Sequence, residues 1–371
     1  MINMAGSVFG DILKLSTWGE SHGPALGAVL DGCPAGLPID EEYIQSFLNR
    51  RKPGQSRFST PRAESDKVEI LSGVFEGKTT GTPISLLIRN ETQRSGDYSN
   101  IMDVYRPGHA DFTFDAKYGF RDYRGGGRSS GRETAARVAG GAIAVKLLSE
   151  FGISFITYVE SVGDIKIDPE KFDKDEIFNN ELYMPDKKAA EKAAKYLDDL
   201  RSNGDSSGAV VKCIISGVPA GLGDPVFDKL DAKLSAAVFS IGAVKSFEVG
   251  IGKDASTLTG SVNNDNFFNE NGRVAKRTNN AGGILGGISD GSDIVLTAGF
   301  KPTPSIYREQ DTVNRGGEDT KLTIKGRHDP IIAPRAVVVV ETMAALTIAD
   351  ALLKNASSKL DSLRKIYLSD N

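Results

Sequence analysis

The pattern of apolar and polar positions marks a first helix where Ile39-Asp40-Glu41-Glu42 leads into YIQSFLNRR, with Asp40 as N-cap and Arg50 and Arg51 suiting its C-terminal end. Two strand-like runs follow, 68–75 and 82–90, joined by Glu76-Gly77-Lys78 and read as an antiparallel hairpin. From Asn90 to Arg128 no period holds, which predicts a long loop of functional rather than packing character. The strongest helix, about Arg132 to Glu150, is apolar or small on nearly every face. It therefore fits between two sheets better than on a surface. Gly140-Gly141 in its interior should cost about 1 kcal/mol each against Ala, so close approach of another backbone is expected there. Residues 164–207 are charged and helix-rich, a peripheral excursion. Strands are predicted at 210–218 and 246–252 with a helix over 225–240 between them, then a strand over 336–342 and a helix over 343–355.

The pattern also echoes itself. Gly32-Cys33-Pro34-Ala35-Gly36-Leu37 is matched by Gly217-Val218-Pro219-Ala220-Gly221-Leu222. Leu71-Ser72-Gly73 with Gly77 is matched, in the same order, by Leu285-Gly286-Gly287 with Gly291. Common turn chemistry would give such pairs one at a time; two in order point to duplicated α+β halves, over 1–160 and 208–371, inside a single domain 1–371. Ile331 to Val340 is the most apolar stretch, but Pro334 and Arg335 interrupt it, well short of the ~20 residues of a membrane span.

Composition narrows the classes of function. The 371 residues carry 45 Lys+Arg against 49 Asp+Glu, a net charge of −4, which disfavours a general nucleic-acid binder. Two cysteines, Cys33 and Cys213, cannot staple a chain this long and form no CxxC, usage that suits a reducing cytoplasm. No HEXXH or carboxylate-rich loop points to a metal.

Arginine is concentrated instead. Residues 50–62 hold five basic side chains and no acidic one, and residues 106–137 hold six Arg and one Lys against four acidic residues. These alternate with Gly, Ser and Thr, so guanidinium forks and backbone N–H groups can converge on a small phosphate or carboxylate. Gly125-Gly126-Gly127-Arg128-Ser129-Ser130-Gly131-Arg132 runs straight into the buried helix, a ready anion site that lacks both the GK[ST] of a P-loop and a GxGxxG after a strand. A phosphate-loop ATPase or a nucleic-acid module would need that lysine or a steeply salt-dependent basic surface. All three histidines, His22, His109 and His328, lie in polar glycine-rich loops, where an imidazole can titrate near neutral pH.

The motifs GESHGPALGAVLDGCPAGLPI (19–39), RRKPGQS (50–56), RPGHADFTFDAKYGFRDYRGGGRSSGRETAARVAGGAIA (106–144), NAGGILGGISDG (280–291), KPTPSI (301–306) and GRHDPIIAPRAV (326–337) together resemble the chorismate synthase family. Gly131 stands where that family usually has Ala, and Gly242 and Ser246 where IPAVKG is common; no charged group is lost. The resemblance implies an α+β chain folded as a β-α-β sandwich, with buried central helices between antiparallel sheets. It implies a homotetramer acting on 5-enolpyruvylshikimate 3-phosphate with reduced FMN, and NADPH as a possible reductant.

Residue by residue, the resemblance makes His22 the acid for the leaving phosphate and places His109 beside the flavin's pyrimidine ring. Asp329 would face the flavin N5 region, with Ser21 and Ser130 in support. FMN contacts would come from Arg128, Ser129, Ser130, Gly242, Ala243, Gly286, Lys301, Pro302, Thr303, Pro304, Ser305 and Arg327. Arg51 and Arg57 match positions tied to NADPH, though their charge suits substrate anions equally; Arg132 and Arg335 are further substrate candidates. Neither nucleic acid nor membrane is an expected partner.

Overall fold

The computed structural model describes residues 6–59, 64–91, 102–324 and 329–368. Its first sheet is built from β1 (Val8–Phe9), β2 (Lys14–Gly19), β3 (Ala25–Asp31), β4 (Val68–Ile70) and, after a small hairpin β5 (Val74–Phe75) and β6 (Lys78–Thr79), β7 (Ile84–Arg89). The spatial order is β1-β2-β3-β7-β4, every pair antiparallel. The helix α1 (Glu41–Arg51) starts as expected, the Asp40 carboxylate accepting from the Tyr43 N–H at 2.8 Å. Arg50 and Arg51 do not sit as solvated charges at its end. Both turn inward to buried carboxylates.

The run predicted as one strand over 68–75 breaks at Leu71–Gly73. Only β4 pairs with β7, and residues 74–79 fold back as their own hairpin. The long loop contains a helix, α2 (Asp111–Tyr118), whose aromatic-rich sequence hid its period. Next come α3 (Thr134–Ser149), β8 (Ser154–Val162), β9 (Ile165–Lys166), α4 (Lys187–Ser202), β10 (Ala209–Ser216), α5 (Leu230–Phe239) and β11 (Val244–Val249). A short α6 (Gly260–Asn263), the hairpins β12–β13 (Phe267–Glu270, Arg273–Lys276) and β14–β15 (Ile284–Leu285, Ile288–Ser289) and β16 (Ile294–Phe300) follow. A hairpin β17–β18 (Gln310–Val313, Asp319–Leu322), then α7 (Ala333–Asn355) and α8 (Leu360–Leu368), complete the described chain.

The second sheet has the order β9-β8-β10-β16-β11, again antiparallel. Strand β10 alternates buried and half-buried residues throughout, the period-2 signature of a sheet with one packed face. α3 packs on β2, β3 and β7 of the first sheet, α7 packs on β8 and β10 of the second, and the two helices pack on each other. This explains why both are apolar all round.

The glycine pair in α3 permits that contact. A Cβ on Gly141 would lie 2.5 Å from Thr342 Cβ and 2.8 Å from Thr342 O of α7, and one on Gly140 would lie 2.3 Å from Leu15 Cδ1. Overpacking of this kind costs about 1–3 kcal/mol against the ~1 kcal/mol that Ala gains in a helix. Gly141→Ala should therefore lower stability by roughly 1–2 kcal/mol in urea denaturation. A gain in stability would show that the helices are free to separate.

The C-terminal region departs most from expectation. Residues 336–342 are helical, within one unbroken α7. Their β-branched run reads as a strand, but burial on every side erases the alternation that would separate the two. Pro334 sits in the first turn, where its missing N–H is harmless, and so does not end the apolar run. At 23 residues α7 is long and apolar enough to cross a membrane; 83% of its most apolar window is buried inside the protein, as in a core helix.

The first echo has a structural counterpart. The Gly36 N–H donates to Thr79 O at 2.8 Å and Thr79 Oγ1 to Pro34 O at 2.6 Å; the Gly221 N–H donates to Ser289 O at 2.8 Å and Ser289 Oγ to Pro219 O at 2.6 Å. The second echo is out of register, however. Gly81 faces Ala35 as Gly291 faces Ala220, so Gly291 corresponds to Gly81 and not to Gly77.

Candidate active site

The motif loops gather where the N-termini of α3 and α7 meet the ends of β2 and β7. The Arg51 guanidinium donates to Gly131 O, just before α3, at 3.3 Å, and Arg335 Nε of α7 donates to Arg51 O at 3.0 Å. Two helix N-termini therefore face one region, which favours anions there.

His22 follows the end of β2. Its Nδ1 lies 3.1 Å from Ser21 Oγ, and Ser21 is buried. A Cβ on Gly125 would lie 2.1 Å from that Nδ1, so only glycine lets the Gly125–Gly127 loop cover the imidazole. Ser130 Oγ accepts from the Arg132 N–H at 3.3 Å and caps the short 3₁₀ turn that opens α3, while Ser129 Oγ donates to Gly126 O at 2.6 Å. Arg128 donates to Thr17 Oγ1 at 2.7 Å and to Gly19 O at 3.2 Å, which ties the glycine loop to β2.

His109 stands on a second loop. Its Nδ1 is 3.0 Å from Pro107 O and its Nε2 is 2.9 Å from Ser305 Oγ. Lys301 Nζ donates to Gly108 O at 2.7 Å, and the Lys301 N–H donates to Ala243 O at 2.9 Å. Lys301, Ser305 and Ala243 are thereby brought to His109. Burial first, and then the Arg106 guanidinium, push the imidazole down to about 4. At neutral pH it is uncharged, with Nδ1–H donating to Pro107 and Nε2 accepting from Ser305.

That shift has a sign. With a folded value below the ordinary 6.5, the unfolded chain binds the extra proton first, so stability falls as pH drops from about 6.5 to about 4. The loss should be on the order of 2–3 kcal/mol after allowing for partial exposure. His109→Gln should lack this component. Equal acid slopes for the two proteins would contradict the assignment.

The densest electrostatics lie beside α1. Asp66 bridges two arginines: Arg51 Nη2 at 2.5 Å on one oxygen and Arg132 Nη1 on the other, all three side chains buried. Glu64 adds a carboxylate 3.6 Å from Arg132, and Asn90 Oδ1 accepts from Arg132 Nε at 2.7 Å. Burial alone would raise Asp66, but the guanidiniums of Arg51 and then Arg132 hold its carboxyl below the usual range. Arg335 Nη1 pairs with Asp329 Oδ2 at 2.6 Å. Arg50 holds Glu341 with two bonds, at 2.9 and 2.7 Å. Sequence reasoning missed Glu64, Asp66 and Glu341. Nothing in Glu64-Ser65-Asp66 separates it from a solvated turn, and Glu341 lay in the misread strand.

The chain matches the family described as chorismate synthase over residues 13–353. The chain belongs to the chorismate synthase family. It is 64% identical over 365 residues to a chorismate synthase of Lachnoclostridium phytofermentans, covering 98% of this chain and 100% of that one. A chorismate synthase of Methanosarcina barkeri is 56% identical over 357 residues, 95% of this chain and 97% of its own. A solved structure described as a crystal structure of chorismate synthase superposes with a TM-score of 0.76 at 33% identity, covering 97% of both chains. The protein is accordingly a lyase of chorismate and aromatic amino-acid biosynthesis, EC 4.2.3.5, acting on a small molecule; its family implies a flavin.

Not every expected residue of the chorismate synthase motifs comes together. Gly286 lies at the turn of β14–β15, ahead of β16, whereas Lys301 follows the last residue of β16. Arg57 is half-exposed and held by Glu181 and Asp198 of the 164–207 excursion, at 3.6 and 3.3 Å, so that excursion clamps the 50–59 segment. Arg327 and His328 lie outside the described residues. The loop 301–305 fits a polar cofactor: among the described residues Thr303 Oγ1 is buried without a hydrogen-bond partner, and a Cβ on Gly242 would meet nothing within 4 Å. Pro302 and Pro304 stiffen that loop, Pro304 packing on Gly108.

Proposed function

We propose that the chain converts 5-enolpyruvylshikimate 3-phosphate to chorismate by 1,4-anti elimination, the last common step of the shikimate pathway. The C–O bond breaks with its electrons going to phosphate, a ring hydrogen is lost from the far side, and a new double bond forms without net redox change. The observation that carries this reading is the convergence of Arg51, Arg132 and Arg335 on the N-termini of α3 and α7, with His22 under the Gly125–Gly127 loop that leads into α3. The substrate has a phosphate and two carboxylates, and the site answers with guanidiniums and helix ends.

Reduced FMN, when bound, supplies the electron density that assists phosphate loss and accepts the ring hydrogen. Arg128, Ser129, Ser130, Gly242, Ala243, Gly286, the 301–305 loop and Arg327 would hold it. His22 protonates the departing phosphate, its ring fixed by Ser21. His109, neutral and fixed by Ser305, presents a tunable proton site to a cofactor anion. Asp329 orients Arg335 and faces the reacting centre. Arg51, tied to Asp66, suits a substrate anion better than NADPH, whereas Arg57 stays at the surface.

We read the two antiparallel sheets with α3 and α7 between them as a β-α-β sandwich, and the order shared by four strands of each, β2-β3-β7-β4 and β8-β10-β16-β11, as an internal duplication. A homotetramer in the cytoplasm, with neither nucleic acid nor membrane as partner, completes the proposal.

Anaerobic turnover tests it. Chemically reduced FMN should support chorismate formation and oxidised FMN should not; adding NADPH to oxidised FMN then reveals whether the chain reduces its own flavin. Equal turnover with oxidised FMN alone would sink the reading.

A further inference from the structure

Asp66 is where the sequence and the site disagree most. Its carboxylate is fully buried, yet no reaction step uses it, and its backbone sits at φ +48, a region that L residues seldom enter. Each oxygen takes a different guanidinium, from Arg51 at the end of α1 and from Arg132 at the start of α3. Arg132 is held further by Asn90, and Arg51 by Gly131 O. Arg51 Nε is buried and has no hydrogen-bond partner among the described residues. A buried donor left unmade costs free energy unless a ligand takes it. The arrangement is a two-arginine clamp with its spacing set by one carboxylate and one donor still unspent.

We propose that Asp66 is a positioning residue that fixes Arg51 and Arg132 as one cationic pair for an anionic group of the substrate. The proposal rests on the reaction assigned above. Asp66 does two things for the pair. It sets the distance between the guanidiniums, and together with Glu64, 3.6 Å from Arg132, it offsets their charge, so that inorganic phosphate does not occupy the pair in place of substrate.

Two variants separate these effects from simple structural support. Asp66→Glu keeps the charge but shifts the carboxylate by one methylene; Glu76 of this same chain tolerates φ +49, so the backbone can accept it. It should raise KM for 5-enolpyruvylshikimate 3-phosphate about 10-fold or more, with FMN affinity and kcat changed less than about 2-fold. Asp66→Asn frees the arginines, and inorganic phosphate should then compete with substrate at least about 10-fold more tightly than in wild type. Should Asp66→Glu fail to fold, the phosphate competition in Asp66→Asn decides. A wild-type KM in Asp66→Glu, a parallel fall of substrate and FMN affinity, or unchanged phosphate competition in Asp66→Asn would overturn the proposal. The wild-type assay run beside them tests the reaction itself: an inactive wild type condemns the assigned reaction, and calorimetric phosphate binding to wild type and Asp66→Asn still decides the role of Asp66.

Discussion

Replacing His22 with Ala should lower turnover by about 10²–10⁴-fold while the chain stays folded and still binds FMN. The range is what general acid catalysis contributes, and here the acid has a defined seat: Nδ1 against Ser21 Oγ, the ring covered by Gly125. Removing the imidazole opens no apolar core, because its neighbours are a serine and a glycine loop. FMN affinity should survive, since the 301–305 loop is anchored through Gly108 and Ala243 rather than through His22. His109→Ala should behave differently. It strips Ser305 of its partner and a titratable group from the cofactor loop, so the absorbance of bound reduced flavin should titrate differently with pH. A flavin titration shifted by His22→Ala and untouched by His109→Ala would exchange the two roles.

Arg132→Ala should have the largest effect on both stability and substrate affinity. Its guanidinium is one of two that neutralise Asp66, and breaking one side of a buried ion pair costs about 3–5 kcal/mol. Loss of the Asn90 bond adds to that. The chemical-denaturation midpoint should fall markedly at pH 7. The loss should shrink as pH drops through the depressed Asp66 value, because a protonated carboxyl no longer needs the pair. A penalty that stays constant, or grows, on acidification would show that Arg132 contributes packing and not charge.

The sequence made some of this legible and hid the rest for physical reasons. α1 was readable because its cap is local: Asp40 needs only the N–H three residues on. α3 was readable because burial on all sides leaves no polar face. α7 failed by the same logic, since a fully buried helix with five β-branched or small residues in a row looks like a core strand. The histidine and arginine loops stood out by composition and family motif, and the structure does bring His22, Arg128, Ser130, Arg132 and Arg335 to one end of the sheets. Asp66 could not be found that way. Its role depends on Arg51 and Arg132, 15 and 66 positions distant, and no local pattern encodes such a pairing.

The measurement that bears most directly on the central claim is the product balance under strictly anaerobic conditions. Enzyme, 5-enolpyruvylshikimate 3-phosphate and FMN reduced beforehand should yield chorismate and inorganic phosphate in equal amounts over many turnovers, with the flavin spectrum still that of the reduced form at the end. Flavin oxidised in proportion to product, or phosphate released without chorismate, would contradict a redox-neutral elimination in this chain.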